Sequence, residues 1–324
     1  MSEEHNPTVV VSWLGYHGRS AAIAERVGAD AVFIEEKGNL ALRYLRQYRK
    51  TIHTVAVNNY DTVVVMMPPL PALLACISLK KSGRVKNVIA DLHTGVFEDP
   101  KWRRFLPFTM KRMRANDVTA VVTNDSLAAR CRQFGLSEVL ELHDPLGDLE
   151  AGDPGSYALF PVTYANDEPI DQIIGAARLA SDTTFVLTGR APEELKKRAP
   201  SNVEFPGFVS RERYEELLSS AGVVVGLTNR PFTMQRAGYE AIERGLPLIT
   251  SDMGDLRSYF GDAALYVAAE PTSGELSERV TEALRNRKAL AERMELLKDK
   301  KLVEQESRIE QLRGLISQGT SRSR

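Results

Sequence analysis

Short runs of apolar, largely β-branched residues recur along this chain, spaced so that one helix fits between each pair. The first six lie at 9–14, 31–35, 62–66, 87–92, 118–123 and 139–142. Their apolar residues are consecutive rather than alternating, which is the pattern of strands buried on both faces. Parallel strands cannot be joined by a tight turn and need a crossover, usually a helix. Six runs alternating with helical stretches therefore predict a doubly wound α/β sheet. The stretch 143–156, HDPLGDLEAGDPGS, breaks the series with Pro, Gly and Asp and reads as a linker. A second series then begins, with strands expected at 158–162, 184–187, 203–205, 223–227 and 246–250, and with 254–260 and 264–267 completing the sheet. The division expected is 1–150 and 151–300, two domains of one architecture. From 272 the chain is helical and highly charged to about 317. Leu302, Ile309, Leu312 and Ile316 recur there at helical spacing, so 301–317 must dock on something. The tail 318–324 is polar and expected to be disordered.

A length of 324 residues suits two domains, and a net charge of −1 argues against nucleic acid as a partner. Cys76 and Cys131 are too far apart for metal or redox spacing and read as reduced core thiols. No metal site is expected. The first six residues are polar and acidic, unlike a signal peptide, and no apolar run approaches the ~20 residues that span a bilayer. A cytoplasmic protein is expected, with peripheral attachment at the inner face of the membrane left open.

The stretch 227–252, LTNRPFTMQRAGYEAIERGLPLITSD, carries the strongest chemical signal. A strand ends, Asn229, Arg230 and Pro231 turn the chain, and Thr233 is placed to cap a helix reaching Arg244. A helix amino end offers free amides and about half a positive charge, a ready site for phosphate. Arg230, Arg236 and Gln235 flank that end, and Glu240 lies where a carboxylate would accept two ribose hydroxyls. The alternative is a surface loop and an amphipathic helix with Glu240 solvated. Arg190, at another strand end, is either a further phosphate partner or a surface arginine.

Three sites in the first half stand out. Gly15, His17, Gly18 and Arg19 follow the first strand and read as a ligand-facing loop or as a tight turn. His93 falls at the carboxyl end of a parallel strand, where open α/β sheets bind ligands. It is the candidate catalytic group, with Asp91 placed to orient it; a histidine satisfied by nearby backbone is the alternative. The segment 101–114, KWRRFLPFTMKRMR, interleaves cations with apolar side chains. Trp102, Arg103, Arg104, Phe105, Lys111 and Arg112 suit an anionic membrane surface, unless the helix buries its apolar side.

Two Rossmann-like halves with phosphate chemistry in the second match the plan of the GT-B glycosyltransferases. The segments at 160–190, at 203–225 (VEFPGFVSRERYEELLSSAGVVV) and at 238–252 (GYEAIERGLPLITSD) resemble glycosyltransferase family 4, the group 1 enzymes. The resemblance implies two doubly wound domains facing a central cleft, the first binding the acceptor and the second a nucleotide-diphosphate sugar. It also implies retention of anomeric configuration, no cofactor and no required metal. Glu240 matches the second glutamate of the family's pair, His93 falls where members often carry a cleft histidine, and the last helix would return to the first domain. Departures are plain: Phe232 stands where the first glutamate belongs, and Tyr164 and Glu168 where an arginine and a lysine are expected. The basic aromatic segment suggests a lipid-linked or membrane-proximal glycan acceptor, in polysaccharide or glycan biosynthesis. A non-catalytic GT-B partner of another transferase and a nucleotide-sugar epimerase are the alternatives. A dinucleotide oxidoreductase is disfavoured, since neither half shows GxGxxG followed by a ribose-binding acid.

Overall fold

The computed structural model describes residues 7–149 and 154–321, so the middle of the expected linker and the last three residues of the expected tail lie outside it. Two compact units divide the chain: residues up to Pro145 together with those from Glu304, and Leu146–Val303 between them.

Unit 1 runs β1 (Thr8–Ser12), α1 (Gly18–Val27), β2 (Asp30–Phe33), α2 (Leu40–Val57), β3 (Thr62–Met67), α3 (Leu70–Lys81), β4 (Asn87–Leu92), α4 (Thr94–Glu98), α5 (Pro100–Arg103), α6 (Leu106–Arg114), β5 (Thr119–Val122), α7 (Asp125–Gln133) and β6 (Val139–Glu141). Its strands lie in the order β2-β1-β3-β4-β5-β6, every pair parallel. Pro107 sits in the first turn of α6, where its missing N–H costs nothing. Both cysteines are free and buried.

Unit 2 runs β7 (Ala158–Phe160), α8 (Ile170–Leu179), β8 (Phe185–Thr188), α9 (Glu193–Arg198), β9 (Val203–Gly207), α10 (Arg211–Ser219), β10 (Val223–Gly226), α11 (Arg236–Glu243), β11 (Leu248–Ser251), α12 (Gly254–Phe260), a 3-10 turn, β12 (Ala264–Val267), α13 (Ser273–Arg285) and α14 (Arg287–Ser321), whose end belongs to unit 1. The order β9-β8-β7-β10-β11-β12 is again wholly parallel. Neighbouring strand residues feed opposite faces: Val224 joins the core under α11 and α12, while Val223 and Val225 join the one under α8 and α13.

Three expectations are corrected. The stretch 254–260 is a helix, not a strand, because Leu256, Tyr259 and Phe260 recur at helical spacing and share one buried side. The chain is helical through Ser321 rather than disordered from 318. Thr233 does not cap α11; Gln235 is the cap residue, and its side chain makes no capping bond.

The end of α14 lays Ile309 and Leu312, both fully buried, against Val10, Ile23, Val64 and Ile89 of unit 1. Leu312→Ala is expected to cost about 2–5 kcal/mol, read as a lower urea midpoint with unchanged slope.

Candidate functional site

An open parallel sheet binds ligands beyond its carboxyl edge, at the point where the strand order reverses. In unit 2 that point lies between β7 and β10. The loops leaving β7, β8, β9 and β10 enclose a cavity of about 1080 Å³ there. All six residues expected at the donor site line it: Arg190, Arg230, Thr233, Gln235, Arg236 and Glu240.

Local constraints shape this cavity. Gly189 adopts φ +84, and a Cβ there would stand 2.2 Å from the Val162 carbonyl oxygen, so only glycine lets β8 deliver Arg190. In the loop after β7, the Glu168 carboxylate accepts from the Thr163 and Ala165 amides at 3.0–3.1 Å. The buried Asp167 binds Thr228 Oγ1 at 2.9 Å and receives Arg230 at 2.9 Å, tying the β7 loop to the β10 loop. Gln235 donates to the Leu227 carbonyl at 2.6 Å, and Thr233 donates to Pro231 at 3.2 Å. Both side chains therefore fold their own loop.

Two of the three arginines, Arg230 and Arg236, are held on carboxylates. Arg236 reaches Glu243 at 3.1 Å and Glu240 at 3.5 Å, and Glu240 also accepts from the Tyr214 hydroxyl. Burial pushes the Glu243 carboxyl above its usual range, against the pull of Arg236 and the Gly147 amide. Burial and then Glu240 drive the Tyr214 phenol well above its usual range, so it is the donor. Arg190 lies 5.3 Å from the centre of the exposed Phe208 ring and has no carboxylate partner among the described residues. The cavity wall also contains Asp167, Phe208 and Tyr214, which the sequence does not mark, beside Glu168, which it marks only as a departure from the family. Phe208 follows β9 at the carboxyl edge, which was the available signal; Asp167 and Tyr214 become visible only through their contacts.

Unit 1 gathers a second constellation. His17 caps α1 and accepts the Ser20 amide on Nδ1 at 3.3 Å. Arg19 corrects the loop reading: it is 4% exposed and sits in the helix. It binds Asp91 through Nε and Nη2 at 2.8–3.1 Å and Asp144 through Nη1 at 3.1 Å. Burial opposes the Asp91 charge, yet Arg19 and His93 hold its carboxyl far below the usual range. His93 Nε2 meets Asp91 Oδ2 at 3.0 Å, and facing a carboxylate Nε2 is the donor. The His17 and His93 rings meet edge-on, centroids 4.9 Å apart. Gly15 packs against the Glu35 carboxylate, whereas Gly18 has open space where a Cβ would stand.

The basic segment divides. Arg103, Arg104, Phe105, Lys111 and Arg112 are exposed, whereas Leu106, Met110 and Met113 are buried. Trp102 is only half-exposed, its ring centroid 6.2 Å from that of Tyr44. No helix among the described residues is long and apolar enough to cross a membrane, and no cluster among them could hold a metal ion.

Residues 164–286 match the family described as glycosyl transferases group 1. Unit 2 carries a group 1 glycosyltransferase domain, and the fold is GT-B. Among solved structures, HepE of Anabaena, in complex with UDP and glucose, matches with TM-score 0.74 at 12% identity, over 95% of this chain and 99% of that one. Sucrose-phosphate synthase from Thermosynechococcus elongatus matches with TM-score 0.74 at 14% identity, over 98% and 100%. An epimerase-like structure from Listeria monocytogenes, described as a UDP-N-acetylglucosamine 2-epimerase, gives TM-score 0.59 at 12% identity, over 89% and 90%. No curated protein matches the sequence. The departures from the family pattern stand in the cavity wall or beside it: Glu168 closes its own loop, and Phe232 takes φ +59.

Burial and then the adjacent His93 lower His17 from 6.5 to about 4. The unfolded chain takes up that proton near 6.5 and the folded chain only near 4, so between them the unfolded state binds more protons. Stability is expected to be intact above about 6.5 and to fall as pH drops toward 4. His17→Asn, which keeps a capping side chain, should flatten that slope in thermal melts.

Proposed function

We propose that this glycosyltransferase moves a sugar from a nucleoside-diphosphate sugar to a hydroxyl acceptor. The observation that carries the reading is the convergence of three arginines, an uncapped helix end and Glu240 on one cavity at the unit 2 switch point. The diphosphate would lie against the α11 amides, with Arg190, Arg230 and Arg236 around it. Arg230 and Arg236 would exchange Asp167 and Glu243 for phosphate oxygens. Glu240 would accept the ribose hydroxyls, steadied by Tyr214. HepE, with UDP and glucose bound, supports the donor class. Retention and independence of metal follow the family resemblance.

As the glycosidic bond to the donor loosens, the sugar takes on oxocarbenium character and negative charge grows on the departing diphosphate. Preorganised amides and arginines stabilise that charge more than the ground state. His93, oriented by Asp91, is the proposed hydrogen-bonding or proton-transfer group in unit 1. Arg103, Arg104, Phe105, Lys111 and Arg112 form the proposed contact with an anionic membrane, which would place the enzyme beside a lipid-linked or membrane-proximal glycan.

A second reading has one observation behind it. Arg230 and Arg236 already hold carboxylate partners and Phe232 replaces a glutamate, as in a GT-B subunit that supports another transferase without catalysis. Titration with uridine, guanosine and adenosine diphosphates separates the two, since the supporting subunit would bind none. With a competent donor, Arg236→Ala is expected to lower turnover by roughly 10²–10³-fold, and Glu240→Ala mainly to weaken nucleotide binding. Wild-type turnover in Arg236→Ala would remove that arginine from the site. Vesicles containing phosphatidylserine should pellet the protein at low salt and release it at high salt, with Arg103→Glu/Arg104→Glu abolishing the effect.

A further inference from the structure

Unit 1 has its own switch point, between β1 and β3, and a small pocket of about 260 Å³ opens there. Its wall comes from the loops after β1, β2 and β3, from α2 and from α5, and it is unlike the donor cavity. Trp13, Tyr44 and Trp102 form a chain of rings with centroids 6.0 and 6.2 Å apart. Lys101 Nζ stands 4.7 Å from the Trp102 ring centre and 5.4 Å from that of Tyr44, and binds the Tyr44 hydroxyl at 3.1 Å.

Most of the polar groups are fixed, and Arg43 lies 5.2 Å from the Tyr44 ring centre. Trp13 spends its indole N–H on Thr51 at 2.8 Å. Gln47, 2% exposed, spends its amide N–H groups on the Trp13 and Ile34 carbonyls at 3.1 and 2.7 Å, while its Oε1 has no partner. Glu36 is drawn off by Lys50. Glu35 has no hydrogen-bond or ion partner among the described residues, and its carboxylate stands where a Gly15 Cβ would be, 2.6 Å away.

We propose that this pocket binds the accepting sugar residue, an uncharged hexose ring seated beside Trp102 and Tyr44 with its hydroxyls donated to Glu35. The assignment rests on the transferase reading for the word "accepting"; the binding chemistry stands without it. A pyranose has one face of C–H groups that packs on an aromatic ring and an equator of hydroxyls that a carboxylate accepts in pairs. The volume lies below that of ordinary drug-sized sites, as a single ring requires. The wall carries charge of both signs, Glu35 and Arg43, as suits an uncharged ring, and its fixed polar groups disfavour a lipid chain.

The chain contains two tryptophans, and both line this pocket, so intrinsic tryptophan fluorescence reports on it directly. Full-length protein would be titrated with the methyl glycosides of glucose, galactose, mannose and N-acetylglucosamine, with and without UDP. At least one should shift or quench the emission saturably. Glu35→Gln, which keeps both tryptophans, should weaken that glycoside by about tenfold. Gly15→Ala, which only displaces the Glu35 carboxylate, should weaken it in the same direction. Trp102→Ala should do so by at least about tenfold, read by saturation-transfer NMR. UDP affinity, measured on the same samples, should stay unchanged in all three. Unaltered glycoside binding in Glu35→Gln and Trp102→Ala, or emission that responds to anionic vesicles and to no glycoside, would overturn the proposal. A wild type that binds none of the uridine, guanosine and adenosine diphosphates, with glycoside binding intact, would overturn the transferase reading and leave the sugar pocket standing.

Discussion

A wholly parallel sheet has a direction. Every strand delivers its carboxyl end to one edge, and crossover helices return the chain to the other. At one place in such a sheet, successive crossovers leave toward opposite faces, and the loops there part instead of packing. Each unit has one such place, between β7 and β10 in unit 2 and between β1 and β3 in unit 1. The arginine-lined cavity opens at the first and the aromatic pocket at the second. The strands themselves carry little chemistry; their register decides which loop residues meet.

The Arg19 charge in unit 1 and the Arg236 charge in unit 2 are held rather than left free. Arg19 is almost inaccessible and divides its donors between Asp91 and Asp144, so the Asp91 carboxylate stays ionised despite burial and can fix one tautomer of His93. Removing one member of such a buried pair leaves the other uncompensated, which is costlier than never having built it. In unit 2 the arrangement is looser. Arg236 is half exposed, and Glu243 keeps the Gly147 amide as a second partner. Arg236 can therefore turn to an anion without stranding a bare carboxylate. Unit 1 has a clamp that holds a side chain in place, whereas unit 2 has one that can exchange partners.

The alternation of strand-like runs and helices made the two-sheet fold legible, because buried parallel strands must be apolar on both faces. Burial of individual polar residues was not legible. Arg19 follows two glycines and a histidine and looks like a loop cation, and only the chain's return 72 residues later at Asp91 shows where its charge goes. The same limit applies to Trp102, whose cationic neighbours suggested a surface while Tyr44 of α2 supplies its actual contact. The stretch 254–260 was misread because seven residues are short enough for either period, and the αR geometry was settled by packing of Tyr259 and Phe260. The gathering of Arg190, Arg230, Thr233, Gln235, Arg236 and Glu240 on one cavity was legible because it is largely local: four of the six lie within 233–240, on one loop and one helix.

Phe232 shows what a local reading leaves out. A phenylalanine at φ +59 holds backbone that glycine would adopt freely, at a cost of order 1–2 kcal/mol. Such a conformation persists only where its surroundings over-determine it, and here they do. Asp167 grips Thr228 and Arg230 before it, and Gln235 is pinned to Leu227 after it. The loop therefore keeps the bend that presents the α11 amides to the cavity, although the glutamate expected at this position is absent. If the bend is the part that serves the diphosphate, the side chain at 232 is free to vary and the backbone angle is not. Whatever contact a glutamate would make at 232 must then come from elsewhere in the wall or be dispensed with.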